Sequence, residues 1–400
     1  MAISTSRWVR TGRLLSLPAA AATDSALGLG RRLTGTDPED VRRWARDRNA
    51  DRTRRVLGEL KGGPLKAGQL LSTVEALFPQ DPEDTWRAAL NSLQENNPAL
   101  PFEELEPVLV AELGADWRSS FSSFDEEPAA AASIGQVHRA EWPDGRPVAV
   151  KIQYPGVREA LAGDVQALAF TLRLTTLIAR GLALPPLVGE LRTRLAEELD
   201  YTREGRTQAA FAAAYADDEE VLVPAVVLAT ERVLVTEWLE GEPLARVAVA
   251  GTRADRDRLG TLYQRFFLTG PARAHMLHTD PHPGNFRLTP DKRLGVLDFG
   301  SALAMPDGMP PTFGRLIAVL MTGDDDTVLT GLREEGFVRP GHTVDTRKLR
   351  DYLAPFTEPA RHEQFTYSRA WLKGQFARVN DPRNPEFAVA LQLNLPAEHL

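Results

Sequence analysis

The stretch "LHTDPHPGNF", residues 277–286, with "LDFG" following at 297–300, constrains this chain more than any other feature. Its ten positions hold two prolines, a glycine, two histidines, an aspartate and an asparagine. Only Leu277 and Phe286, at its ends, are clearly apolar. Proline fixes φ and removes a backbone donor, so neither a helix nor a central strand runs through the middle of this stretch. The segment must therefore be an irregular loop that projects His278, Asp280, His282 and Asn285. Two chemistries compete for it. His275, His278 and His282 are close enough in sequence for a metal site. Asp280 and Asn285, five positions apart, have the spacing of a catalytic loop.

The surrounding motifs favour catalysis. Strand-like "RLGV" leads into "LDFG", which places Asp298 to chelate a magnesium ion that bridges phosphates. Either motif alone is common, but H-x-D-x4-N followed by a strand and D-F-G points to a kinase-like nucleotide site. In it Asp280 orients the acceptor or takes its proton, and Asn285 binds a magnesium ion. Zinc is the weaker reading, because two prolines break the register around His282 and no fourth ligand is evident. His278 is expected to pack and hydrogen-bond within the loop.

Upstream, "VAVK" ends in Lys151 and fits the strand whose lysine holds the α and β phosphates. Its partner should be an acid on the next helix. Leu187, Leu191, Leu195 and Leu199 recur every fourth residue, which predicts one long helix from Leu187 to Tyr215. Glu197, Glu198, Asp200 and Glu204 lie on it. At about 100° per residue, Glu198 and Asp200 flank the leucine stripe, while Glu204 shares a face with Asp200. Geometry thus narrows the partner to Glu198 or Glu204 and leaves both open. Neither G-x-G-x-x-G nor G-x-x-x-x-G-K-[ST] occurs. "PAAAASIGQV", residues 128–137, stands where a glycine-rich loop would cover the phosphates, and alanine makes such a loop stiffer. Thr279 precedes Asp280 where an ordinary protein kinase has arginine, and no A-P-E follows. The machinery of a phosphorylated activation loop and a bound peptide is missing.

The order of patterns predicts an α+β, bilobal protein-kinase-like fold with a helical N-terminal extension. Residues 1–35 read as a flexible basic tail and 36–115 as a helical extension, with "DPED" start signals at Asp37 and Asp81 and a helix ending at Gly114. Residues 116–240 read as a smaller lobe. It contains a hairpin around "PDG" and strands in "VLVPAVVLAT" and "ERVLVTEWLEG". Residues 241–400 read as a helical lobe. In the tail, Arg7, Arg10 and Arg13 precede "LLSLPAAAA", a faint echo of a signal peptide; an arginine-bearing helix on anionic lipid is the stronger reading, and a solvated tail the default. The 400 residues carry a net charge of −8 and a pI near 5.6, which speaks against nucleic acid as a partner. With no cysteine, disulfides and thiolate chemistry are excluded. No run of about 18 apolar residues occurs, so no spanning helix is expected.

Taken together, "LKAGQLLS", "AAAASIGQVHRA", "VAVKIQYPGV", "EELDYTRE", "HTDPHPGNF" and "DFG" resemble the UbiB (ADCK, AarF) family of atypical kinases, in the right order from about residue 55 to 330. The resemblance implies ATP or ADP with Mg2+ as cofactors, and an ATPase or small-molecule kinase more than a protein kinase. It implies that Lys66, Gly68 and Gln69 form a KxGQ lid over the site. Glu198 and Asp200 would be the lid's ExD partners, which leaves Glu204 to Lys151. The nucleotide-binding set is then Ala129, Ala130, Ala131, Ala132, Ser133, Ile134, Gly135 and Lys151, with Glu237 and Leu239 just ahead of and just inside the end of the smaller lobe. The resemblance also implies an insert around 155–185, and a role in isoprenoid quinone biosynthesis or lipid homeostasis. A cytoplasmic location follows, peripheral at the inner face of the membrane, with lipid or quinone precursors and quinone-synthesis enzymes as partners. Some bacterial relatives carry C-terminal spanning helices that this sequence lacks. Gly205 and Thr207 depart from the family's usual alanine and asparagine, with small local effects expected at the helix end.

Overall fold

Alternation builds the first sheet. Along β3 (Pro147–Gln153), Val148, Val150 and Ile152 are buried, while Ala149 and Lys151 lie on the other face and are only half-buried. β3 pairs antiparallel with β2 (Gly135–Glu141) across the tight turn at Trp142–Arg146, where Gly145 has φ 85°. In the computed structural model, which describes residues 99–132, 134–163, 196–322, 325–334, 338 and 344–380, five strands form this sheet. The others are β1 (Ser123–Ala131), β5 (Val226–Ala229) and β6 (Val233–Glu237), in the order β1-β2-β3-β6-β5. Helix α1 (Phe102–Leu113) packs Phe102, Leu105, Val108 and Leu109 into the same core as Val148, Val150 and Ile152. Gly114, with φ 98°, ends it as expected. The apolar face of this helix thus shares one core with the sheet.

Helix α2 (Tyr201–Ala214) serves two cores. Tyr201, at its start, belongs to the core of the five-stranded sheet, and Phe211, near its end, to a second core with Phe266, Phe286 and Phe299. That second core lies under a four-stranded sheet ordered β4-β10-β9-β7. Its strands are β4 (Val221–Leu222), β7 (Glu242–Pro243), β9 (Phe286–Leu288) and β10 (Leu294–Val296). "VLVPAVVLAT" is therefore two strands in two sheets, split at Pro224, which cannot donate to a ladder. Helices α3 (Leu244–Ala250) and α4 (Arg253–Arg273) cover this core, with Val247, Leu259, Leu262 and Phe266 turned inward. A two-stranded ribbon of β8 (Met276–His278) and β11 (Ala302–Ala304) completes the unit.

The long helix expected from Leu187 to Tyr215 is corrected. Residues 196–198 are helical, but the chain breaks at Leu199–Asp200 before α2 begins. Asp200 has extended φ and ψ, and its carboxylate accepts the N–H groups of Thr202 at 2.9 Å and Arg203 at 3.2 Å. An aspartate that caps a helix in this way starts one. Residues 187–195, and most of the insert expected at 155–185, lie outside the described residues.

The chain divides into two compact units, the first ending at Pro306 and the second running on from Asp307. The second unit has its own core of Leu320, Val328, Leu332, Val338, Val344 and Leu349. It is built from α5 (Pro311–Thr322), α6 (Asp325–Glu334), α7 (Thr346–Thr357) and α8 (Arg369–Asn380). Among the described residues, no helix is long and apolar enough to cross a membrane.

Candidate functional site

The site is assembled around Lys151. Opposite Leu234 of β6 and Val137 of β2, its side chain leaves the face of β3 opposite to Val148, Val150 and Ile152. Its ammonium donates to Glu204 Oε1 at 2.6 Å and to Asp298 Oδ2 at 3.2 Å, and lies 4.9 Å from the centre of the Tyr201 ring. The Lys151 side chain is 15% exposed and that of Glu204 2%, so the pair is screened from water. Burial by itself would strip the ammonium of its proton; the Asp298 and Glu204 carboxylates outweigh it and hold Lys151 well above the usual lysine range. Burial pushes Glu204 up to about 7, against the pull of Lys151 and with a push from Asp298. One lysine charge thus stands between two carboxylates, and the surplus is negative. The break at Asp200 starts a new helix, and its first turn brings Glu204 to Lys151.

Asp280 and Asn285 stand together. Asn285, the last residue of a 3-10 turn (Pro283–Asn285), donates through Nδ2 to Asp280 Oδ2 at 2.9 Å. The other carboxylate oxygen of Asp280 accepts the N–H of His282 at 3.2 Å. The Asn285 carbonyl accepts the N–H of Leu297, which ties this turn to the segment carrying Asp298. Asp298 itself accepts the N–H of Gly300 at 3.0 Å, and its side chain is 35% exposed. Its second carboxylate oxygen is the one Lys151 holds.

His278 links the two loops, but from a strand and not from within the loop. It ends β8 and is buried among Phe211, Phe266, Phe267, Phe286 and Phe299. Its Nδ1 accepts the Asp280 N–H at 3.4 Å, so the proton sits on Nε2, which donates to the Asp298 carbonyl at 2.7 Å. Burial lowers its pKa, which favours this neutral form. His282 turns instead to its own loop and accepts the Gly284 N–H through Nδ1 at 3.1 Å. Next to Asp280, the Thr279 hydroxyl pairs with that of Ser301 at 2.7 Å, and the Thr279 N–H with the Ser301 carbonyl. The strand after Asp298 is therefore ordered by a ladder and two hydroxyls, with no phosphate-binding arginine in it.

The loop expected to cover the phosphates is shorter than its alanines. Ala129, Ala130 and Ala131 belong to β1, and Ala132 turns the chain, its N–H meeting the Gly135 carbonyl at 2.8 Å. Ser133 lies outside the described residues. The Ile134 side chain is 1% exposed and packs into the first core, so only its backbone can face a ligand. Gly135 is required by close approach: a Cβ there would fall 2.2 Å from the Ile152 carbonyl oxygen. Glu237 faces Arg146 and the Ala225 N–H, each at 3.3 Å, and Leu239 packs over Gly295. Asp200 caps α2, as above. Lys66, Gly68 and Gln69 lie outside the described residues.

Sequence reasoning missed three residues here. Gln136 pairs its side-chain amide with both the N–H and the carbonyl of Leu100, at 2.9 and 3.2 Å, and holds the chain ahead of α1 against β2. Its Nε2 also meets buried His138, whose other ring nitrogen bonds the Asp125 carbonyl. Tyr201 places its ring beside Lys151, and Arg287 lies on β9 two residues after Asn285. A polar residue inside the alternating strand "GQVHRA" was the available signal for Gln136, and an arginine between Phe286 and Leu288 the signal for Arg287.

The arrangement suits magnesium with a nucleotide. Asp298 and Asn285 present hard oxygen donors, and among the described residues no group of three acids or histidines forms a closed metal cage. One or two protein oxygens, with phosphates completing the shell, is the usual way magnesium is held. The negative surplus at Lys151 would also be offset by a cation beside Asp298.

The chain as a whole is similar to a described family and to several known proteins. The ABC1 atypical kinase-like domain matches residues 92–331. The mitochondrial atypical kinase coq-8 of Caenorhabditis elegans is 33% identical over 336 residues, 81% of this chain and 43% of that protein. The mitochondrial atypical kinase COQ8 of Saccharomyces cerevisiae is 34% identical over 305 residues, 75% of this chain and 60% of its own length. The chain thus spans about half the length of these curated relatives. Among solved structures, Rv3197 of Mycobacterium tuberculosis in complex with erythromycin is 39% identical, with a TM-score of 0.68 and 90% of each chain covered.

Proposed function

Because the chain belongs to the ABC1 (UbiB-type) atypical kinase-like family, we propose that it is an ATP-binding, magnesium-dependent atypical kinase or ATPase that supports isoprenoid quinone biosynthesis or membrane lipid homeostasis. One observation carries the reading: Lys151 holds Glu204 and Asp298 at once, at 2.6 and 3.2 Å. That contact joins a strand, a helix and the D-F-G segment in the arrangement that phosphoryl transfer needs. Lys151 meets the phosphates, and Glu204 fixes where its ammonium points. Asp298 and Asn285 hold magnesium, which when bound supplies positive charge against the phosphate oxygens. Asp280, kept in place by Asn285 and His282, orients the acceptor oxygen and takes its proton. The alanine-rich segment, Ala129 to Gly135, is the part of the chain that would cover the phosphates. Lys66, Gly68 and Gln69, with Glu198 and Asp200, are the lid and its partners. The substrate side is a lipid or quinone precursor met at the inner surface of a membrane, with other enzymes of quinone synthesis as partners.

The test is ATP turnover by the purified chain, with and without anionic liposomes and a quinone-precursor mimic, for wild type and Asp298→Asn. Wild type turns ATP over and the variant loses at least tenfold; equal turnover in both overturns the enzyme reading. A second reading rests on the erythromycin complex of the mycobacterial neighbour: a macrolide-sized ligand. Saturable erythromycin binding by this chain supports it, and its absence at millimolar ligand removes it.

A further inference from the structure

Among the described residues, Arg287 is a half-buried cation with no acid to answer it. Phe286 and Leu288 on β9, and Leu294 and Val296 facing them on β10, are all buried in the second core. Alternation therefore puts Arg287 and its cross-strand partner Gly295 on the opposite face. On that face runs the linker that leaves β6 for β7. Leu239 of the linker lies over Gly295, so closely that a Cβ there would fall 2.7 Å from Leu239 Cδ2. Gly241, farther along the linker, accepts a hydrogen bond from Arg287 Nη1 at 3.0 Å. Among the described residues, no carboxylate lies within ion-pair distance of this guanidinium. Of its five N–H donors, one is used on Gly241.

A cation withdrawn from water without a counter-charge is costly, and such groups persist where something else meets them. The position says what. Arg287 lies between the linker that joins the two sheets and Asn285, two residues before it, which stands with Asp280 at the phosphate end. From the phosphate end at Asn285, a nucleotide that extends along β9 toward the linker would carry its base past Arg287. Resting on the nucleotide reading above, we infer that Arg287 is a base-binding residue: its guanidinium, pinned by the Gly241 carbonyl, forms a cationic floor against the face of the nucleobase. A planar guanidinium under an aromatic ring is a cation–π contact. The affinity it adds belongs to the base and not to the phosphates.

The experiment is calorimetric titration of the full chain with Mg-ADP and with Mg-tripolyphosphate, for wild type, Arg287→Met and Arg287→Lys. The methionine variant keeps the length of the stem and loses the cation. It is expected to bind ADP about 2- to 30-fold more weakly, the range of a cation–π contact. Its affinity for tripolyphosphate stays within about twofold, which also shows that the site is still folded. The lysine variant falls between the two. Unchanged ADP affinity in Arg287→Met, or an equal loss for both ligands, overturns the proposal, since the guanidinium would then act on phosphate or only brace the linker. A wild type that binds neither ligand overturns the nucleotide reading itself, and this inference with it, before any variant is compared.

Discussion

Gly205 shows how one missing methyl can matter more than helix propensity. By propensity alone, alanine there would stabilise α2 by about 1 kcal/mol. The sequence placed this glycine near a helix end, where its effect should be small. With α2 beginning at Tyr201, it lies instead in the first half of the helix, facing the sheet. A Cβ there would fall 2.7 Å from the Ala229 Cβ and 3.3 Å from Leu234 Cδ1. Alanine 229 has no rotamer by which to retreat, so helix and strand would have to part. Overpacking of this kind costs about 1–3 kcal/mol, which outweighs the propensity gain. Gly205→Ala is therefore expected to lower the melting temperature by about 2–6 °C. It should also slow turnover, because Glu204 is the preceding residue and moves with the helix. A variant as stable as wild type would mean that α2 and β5 are not packed this closely.

At the scale of elements, Asp200 separates a local role from a proposed one. Its carboxylate caps α2 and so fixes the turn that carries Glu204. Asparagine caps nearly as well as aspartate, whereas alanine loses about 1 kcal/mol. Asp200→Asn should keep the wild-type melting temperature and Asp200→Ala should lose a few degrees. A charged partnership with Lys66, as the lid requires, would appear as lost activity in the asparagine variant at unchanged stability. If asparagine destabilises as much as alanine, the cap is not what starts the helix. This element also marks where the sequence stopped being legible. "VAVK", "DPHPGN" and "LDFG" could be read because each packs its chemistry into a few consecutive residues on one strand end or loop. The helix could not, because the four-residue leucine period runs straight through Leu199, and only the side chain of Asp200 reveals the break. The split of "VLVPAVVLAT" rests on β4 pairing with β10, where Val221 meets Leu294 73 positions on, and the Gln136–Leu100 clamp spans 36 positions. No local pattern encodes such distances.

At the scale of the whole molecule, all the candidate chemistry within the described residues falls in one unit. Lys151, Glu204, Asp280, Asn285 and Asp298 precede Pro306, while the helices from Pro311 onward surround a core of their own. A ligand that binds the folded site stabilises whatever must be intact to hold it, by about 2.7 kcal/mol at a hundredfold excess over Kd. That free energy enters through β3, α2 and the two loops, whose hydrogen bonds run among themselves: Lys151 to Glu204 and Asp298, His278 to the Asp298 carbonyl, Asn285 to Asp280. Opening of the second unit breaks none of them. Hydrogen exchange with and without saturating Mg-ADP should therefore show slower exchange in peptides covering 134–153, 201–214 and 276–304. Peptides from 311–322 and 346–357 should exchange at unchanged rates. Protection that rises equally in both sets would mean that the two cores open together, and that the second unit is part of what the nucleotide holds closed.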